Sequence, residues 1–307
     1  TQGIMSVLNI TLGYFIAIMA ISACTRALVA WQWPKWSFLA EFIAAFSLAA
    51  SRLEVQTISE VGQWAVGLGP DVTLTLLFLT ITVHAVIMQG VSGNPSVTVM
   101  RFLQKDGEAV AVLLSLASQL AGAQLALLLA GWYWAMELTD MHMLKNLMAA
   151  ECSTSLRVPL IQGATAEAVS ALIFHLAHLS LEHRSQLLQI PSLTLLLTFL
   201  HYAGSNYTSA YVNPSLASAL TFTCPGHTFL EYVLVYWLGP LIGRLLSTGP
   251  NSDQPFMMNA LRISYMHDPG LAALHREHPC AFHQEPALLK KNTLPFAKGE
   301  NVCRIER

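Results

Sequence analysis

Twice in this chain an apolar run opens on Asn-Pro-Ser and breaks off too soon to cross a bilayer. The first is Asn94-Pro95-Ser96 followed by Val97 to Leu103, and the second is Asn213-Pro214-Ser215 followed by Leu216 to Phe222. Asn is a good helix cap and Pro suits the first helical position, so each motif reads as a helix start. Motif and run together cover ten residues, about half of the roughly 20 a spanning helix needs. Two half-length helices at matching places in two hydrophobic halves predict re-entrant elements that meet near the bilayer midplane. The bland reading of Asn-Pro is a capped turn, and the duplication favours function over it.

The surroundings are those of an integral membrane protein. Of 307 residues, 54% are hydrophobic and only 11% charged, against about 25% charged in a soluble domain. The net charge is −2 with scattered basic residues, which offers nucleic acid no footprint. Ile4 to Ala30 is long enough to span and lacks the basic leader of a signal peptide. Trp31, Trp33 and Trp36 then read as an interfacial belt. Further apolar runs are Phe38 to Val55, carrying Glu41, Arg52 and Glu54, then Val72 to Met88 and Ala109 to Trp134. Gln162 to Leu181, carrying Glu167, Leu187 to Ala203 and Phe229 to Leu246 complete the set. Gly62, Gly67, Gly69 and Pro70 are read as one loop. Arg101, Lys105 and Asp106 are expected to close the first half-helix in water.

These runs divide the chain into an N-terminal hydrophobic segment (1–35), a first repeat (36–135), a connecting loop (136–161), a second repeat (162–248) and a polar tail (249–307). The tail is expected to be solvated and poorly ordered. Each repeat runs Glu-bearing span, span, half-helix, span. Three full spans per half invert the second copy relative to the first, the plan of channels and transporters. The segment Ile4 to Ala30 is surplus to it. Either it is a seventh span, or it spans while Phe38 to Val55 does not. Five cysteines, Cys24, Cys152, Cys224, Cys280 and Cys303, show neither metal-ligand nor paired spacing, and the odd count predicts no disulfide framework.

Two Asn-Pro-small motifs in inverted halves, each half with a buried Glu, resemble the aquaporin family. The stretches LGPDVTLTLLFL, AMELTDMHMLKNLMAAECSTSLR and TCPGHTFLEYVLVYWLGPL, with LNITLGYFIAIMAISACTRA near the start, resemble its unorthodox (super-aquaporin) branch over roughly residues 5 to 246. The resemblance implies an all-α membrane protein, an aquaporin-like inverted repeat of six spans plus two re-entrant half-helices, with an additional N-terminal hydrophobic segment. It implies a passive channel for water, with glycerol or hydrogen peroxide as further solutes. A homotetramer in an intracellular membrane, endoplasmic reticulum or secretory vesicle, follows from the same branch.

Residue by residue, the resemblance makes Asn94 and Asn213 the central donors, flanked by Pro95, Ser96, Pro214 and Ser215, with the half-helix dipoles aimed at the same point. Ser96 and Ser215 stand where the family has Ala, and their hydroxyls are expected to bond local backbone. The outer filter would take His201, Ala210 at the usual mercury-reactive cysteine position, Leu216 where water-selective members place Arg, and an aromatic near Leu77 or Phe78. Leu216 predicts a less polar, less cation-excluding filter. For His201 an interfacial helix-end histidine is an equal reading. Glu41 and Glu167 would hold the half-helices by accepting backbone amides. No cofactor and no metal is expected, and no nucleophile-base pair in an aqueous setting suggests an enzyme. The alternatives are a proton-coupled transporter using Glu167, His175, His178 and Glu182, or a non-conducting structural member. The sequons at Asn9 and Asn206 are expected to stay unmodified.

Overall fold

The computed structural model describes residues 2–104, 108–148 and 152–248; the tail 249–307, with Cys280 and Cys303, and the pair Lys105 and Asp106 lie outside the described residues. The described chain is all-helical. Its helices are α1 (Gln2–Gln32), α2 (Ser37–Thr57), α3 (Gln63–Val66), α4 (Pro70–Ile87), α5 (Pro95–Gln104) and α6 (Ala109–Ala135). After these come α7 (Asp140–Leu147), α8 (Leu160–Leu181), α9 (Gln186–Gly204), α10 (Pro214–Leu220), α11 (Phe229–Val233) and α12 (Gly239–Ser247). A π-helical turn, Ile58–Gly62, joins α2 to α3, and another, Leu234–Leu238, joins α11 to α12.

Among the described residues, six helical stretches are long and apolar enough to cross a membrane: Gly3–Gln32, Pro70–Ile87, Ala109–Ala135, Leu160–Leu181, Gln186–Gly204 and Phe229–Ser247. The helix α2 is 21 residues long and is missing from that set because Glu41, Arg52 and Glu54 dilute its hydropathy. It buries Arg52 and Glu54 in the bundle instead of offering them to lipid. Gly62, read from sequence as loop, is helical, and only Gly67 to Gly69 breaks the chain before Pro70 starts α4. The connector between the halves likewise contains a helix, α7, capped by the Thr139 hydroxyl on the His142 amide.

The two repeats cross their first and last helices in the same way. A methyl group placed on Gly122 of α6 would collide with the carbonyl oxygen of Phe42 on α2, and one on Gly243 of α12 would collide with that of Ala168 on α8. Phe42 and Ala168 each directly follow the span glutamate, Glu41 or Glu167. Only a missing Cβ lets two helix backbones approach this closely.

The surplus helix α1 is fastened to the bundle at both ends and runs antiparallel to α2. Near its start, the Thr11 hydroxyl donates to Glu54 Oε1 at 3.1 Å and the Tyr14 hydroxyl to the Ala50 carbonyl at 3.3 Å. Near its end, the Arg26 guanidinium donates to the carbonyls of Ile87 and Gln89 at the C-terminus of α4, where exposed carbonyls favour a cation.

Candidate functional site

Both Asn-Pro-Ser motifs fold into half-helix starts, and they lie against each other. Asn213 has extended backbone and its side chain accepts the Ser215 amide, which caps α10. Asn94 Oδ1 accepts the Ser96 amide at 3.0 Å in the same way. The other end of each carboxamide crosses to the opposite repeat: Asn94 Nδ2 donates to the Val212 carbonyl at 2.9 Å, and Asn213 Nδ2 to the Gly93 carbonyl at 3.2 Å. Both asparagines are buried, at 8% and 5% exposure. Gly93 and Val212, the residues just before them, both take left-handed backbone, φ 56° and 53°. For Gly93 this is free, and its missing Cβ also admits the α2 backbone at Ala44 and Ala45. For a β-branched Val it is strained, and Val212 is held there by neighbours.

The residues that enter each half-helix are held by that repeat's span glutamate, Glu167 for Val212 and Glu41 for Gly93. Glu167, fully buried, accepts the amides of Tyr211 at 3.0 Å and Val212 at 2.8 Å. Glu41 accepts the amides of Ser92 at 3.4 Å and Gly93 at 2.8 Å, together with Gln119 Nε2 at 2.8 Å. Gln119 also reaches the Thr98 hydroxyl on α5. A carboxylate in an apolar bundle needs such donors, and here each one ties a span to the residues that enter a half-helix. Tyrosines complete the support of the second loop: Tyr232 donates to the Pro214 carbonyl and Tyr236 to that of Thr208, while Tyr211 and Ser155 share a hydrogen bond of 2.7 Å.

The serine hydroxyls behave differently from the expected local backbone bonding. Ser96 Oγ donates to Asn94 Oδ1 at 2.8 Å and accepts from Arg244 Nε at 3.2 Å. Ser215 Oγ lies 2.9 Å from Asn213 Oδ1 and 2.7 Å from the Gly93 carbonyl across the interface. Its one proton serves one of the two at a time. In both motifs the capping Asn oxygen is the near acceptor, and for Ser215 the abutting half-helix starts add the Gly93 carbonyl.

The remaining expected filter residues lie on α4, α9, α10 and the segment between α9 and α10. His201, near the end of α9, has Nδ1 2.7 Å from the Ser209 carbonyl and 3.2 Å from Arg52 Nη2. Ala210 is buried with φ 44° against Gly204. Leu216 is buried in the apolar core. Phe78 is half-buried on α4. The contacts Thr82 to Thr194 and Gln89 to Gln186 fix α4 antiparallel to α9. Counting from them sets Thr75 level with His201 and Phe78 about 4.5 Å deeper. Helical side chains lean toward the N-terminus, which reduces that gap. His175 and His178 stack at 6.0 Å, and His175 Nε2 and His178 Nδ1 lack partners.

Sequence reasoning missed Arg244 and gave no role to Arg52, Glu54 or His142, although a charge inside an apolar run is the signal that marks such residues. Glu54 accepts from Thr11, Trp134 Nε1 at 3.1 Å and His142 at 2.9 Å. It also missed a disulfide, Cys152–Cys224. The two cysteines are 72 residues apart in sequence, and only the tertiary fold brings the connector onto the loop after α10. There Thr154 bonds Pro225 and Ser155 bonds Thr221. The threonines of both sequons, Thr11 and Thr208, are fully buried.

Comparison with known proteins bears on the same residues. The profile of the major intrinsic protein family matches residues 28–248, taking in both motifs and leaving out most of α1. Mouse aquaporin-12 is 42% identical over 246 residues, 79% of this chain and 85% of its own. A human relative carrying an aquaporin-12A name is 37% identical over 298 residues, 97% of this chain and 95% of its own. That alignment reaches past residue 246, where the resemblance read from sequence stopped. Human aquaporin-11 is 31% identical over 239 residues, 77% of this chain and 86% of its own.

Proposed function

This chain belongs to the major intrinsic protein family, in its aquaporin-11 and aquaporin-12 branch, and is thus a multi-pass membrane channel; we propose that it conducts water down its gradient, and with it small neutral solutes such as glycerol and hydrogen peroxide. One observation carries the reading. Each central carboxamide gives its oxygen to its own half-helix and one N–H to the opposite backbone. A carboxamide has two N–H donors, so each keeps one for a passing oxygen. Two half-helix N-termini bring their positive ends to the same point, which opposes cations without opposing water.

On this reading Glu41 and Glu167 position the half-helices and Ser96 and Ser215 brace them, while His201, Ala210, Leu216 and Phe78 border the outer approach. The repeats are 36–135 and 162–248, joined by 136–161. A homotetramer in an intracellular membrane follows as part of the same proposal. The disulfide gives it an orientation: such bonds persist in oxidising compartments, so the Cys152–Cys224 face is lumenal or extracellular. Arg101 and Arg184 then face the cytosol, as the positive-inside tendency favours.

The proton-coupled alternative draws on His175 and His178, whose unpartnered nitrogens are its only specific support. Glu167 is poorly placed for a relay, because backbone amides take both of its oxygens.

Stopped-flow shrinkage of proteoliposomes under a sucrose step, then a glycerol step, tests the reading. Wild-type vesicles should shrink faster than empty ones, with no saturation and a low activation energy, and Asn94→Asp and Asn213→Asp should each remove the difference. Shrinkage no faster than in empty vesicles would remove the water-channel reading, and saturable, pH-driven uptake would replace it with the transporter.

A further inference from the structure

Arg52 is a buried cation that the central constellation leaves unexplained. It lies on α2, eleven residues after Glu41 and thus about 16 Å further along the helix, and it is 5% exposed. Among the described residues the one polar group within hydrogen-bond distance of its guanidinium is His201 Nδ1, at 3.2 Å. That partner is already committed. The same ring nitrogen lies 2.7 Å from the Ser209 carbonyl, and a carbonyl can only accept, so the shorter contact puts the imidazole proton on Nδ1. His201 therefore has no lone pair at Nδ1 to offer, and Arg52 lies beside the ring rather than neutralised by it.

A guanidinium carries five N–H donors and keeps its charge. Held inside a membrane bundle without a carboxylate, it is stable only where water meets those donors. The two carboxylates nearest in sequence on α2 are both engaged elsewhere. Glu41 holds Ser92, Gly93 and Gln119, and Glu54 holds Thr11, Trp134 and His142. Through that ring nitrogen Arg52 meets the segment that leads to the second motif, where Ser209 and Ala210 take left-handed backbone four and three residues before Asn213. Leu216, directly after the second motif, brings no charge to this level.

We propose that Arg52, supplied by α2, is the specificity-determining charge of the outer approach: it borders the water path at the level of His201 and Ser209 and excludes cations, protonated water included. The position beside the second motif does not then set cation exclusion in this chain, and the filter is apolar at Leu216 yet positive overall. Leu216 leaves room for small neutral solutes, while Arg52 refuses charged ones.

This inference rests on the channel reading, and the two fail separately. Full-chain proteoliposomes are tested for water shrinkage, for potassium efflux with a trapped potassium dye, and for proton flux with a trapped pH dye under a clamped potential. Wild type should pass water and hold both cations. Arg52→Gln, or Arg52→Met as a second uncharged variant, should leak potassium and protons on the order of tenfold faster or more while water shrinkage stays faster than in empty vesicles, which reports a folded pore. Arg52→Lys should stay tight, because it keeps the charge. An uncharged variant that passes water and remains as cation-tight as wild type would overturn the proposal. So would an Arg52→Lys variant that leaks as much as Arg52→Gln, or a wild type that itself leaks cations. A wild type that passes no water would instead remove the channel reading.

Discussion

The two serines that replace the family's usual alanines are structural members of the junction. Ser215 offers a second bridge between the repeats, so Ser215→Ala should lose about 1 kcal/mol. Ser96 is the acceptor of Arg244, which is 4% exposed. Ser96→Ala leaves that charge without its partner and should cost more, roughly 1 to 3 kcal/mol. Thermal unfolding in detergent would rank the two, and the reverse order would contradict the bridging assignment. Glu54→Ala strips Thr11, Trp134 and His142 of a shared acceptor and should cost roughly 3 kcal/mol or more. At this scale the sequence pointed to Asn94, Asn213, Glu41 and Glu167 because duplication marks them. Arg52, Arg244 and Glu54 carry no such mark: each occurs once, and what it touches lies far away in the chain.

Helix existence was readable from apolar runs, and the helical membrane fold with two short helices agrees with what those runs predicted. The hardest helix to read was α2, because composition measures average polarity and cannot tell charge facing lipid from charge facing protein. Its boundaries also hid a π-helical turn, which leaves no periodic signal. Close crossings were invisible for the same reason, since a glycine in an apolar run has no sequence feature that names its partner. Gly122→Ala should therefore push α2 from α6 and yield aggregated or poorly folded protein by size-exclusion chromatography. Gly131→Ala, on the same helix with nothing within 4 Å of the added carbon, should elute like wild type. Equal behaviour of the two would show that α2 and α6 do not cross at Gly122.

At the scale of the described residues, α1 is clamped along the bundle and a covalent tie, Cys152–Cys224, joins the connector to the loop after α10. Breaking the tie with Cys152→Ser should lower stability by roughly 2 to 4 kcal/mol, the scale expected for closing a long loop. Non-reducing mass spectrometry should find the Cys152 and Cys224 peptides linked. An engineered protease site between Thr139 and Arg157 should be cut only from the lumenal or outer side of sealed microsomes or cells. Cutting from the cytosolic side would reverse the orientation. The sequence had left the surplus segment undecided between two topologies. The structure makes α1 and α2 both full-length and antiparallel, joined by contacts at Thr11 and Tyr14 that no local pattern encodes.

The sequence by itself determined the solvent, the helices and the duplication. Hydropathy, cap residues and chain length are local quantities, and a bilayer allows few structures that satisfy every backbone group. Tertiary structure alone decided which buried polar groups and cysteines meet. Asn94 reaches Val212, Arg244 reaches Ser96, Arg52 reaches His201 and Cys152 reaches Cys224. Each pairing joins residues far apart in sequence. Polar partners inside a membrane bundle are fixed by the three-dimensional supply of donors and acceptors, which a linear pattern does not contain.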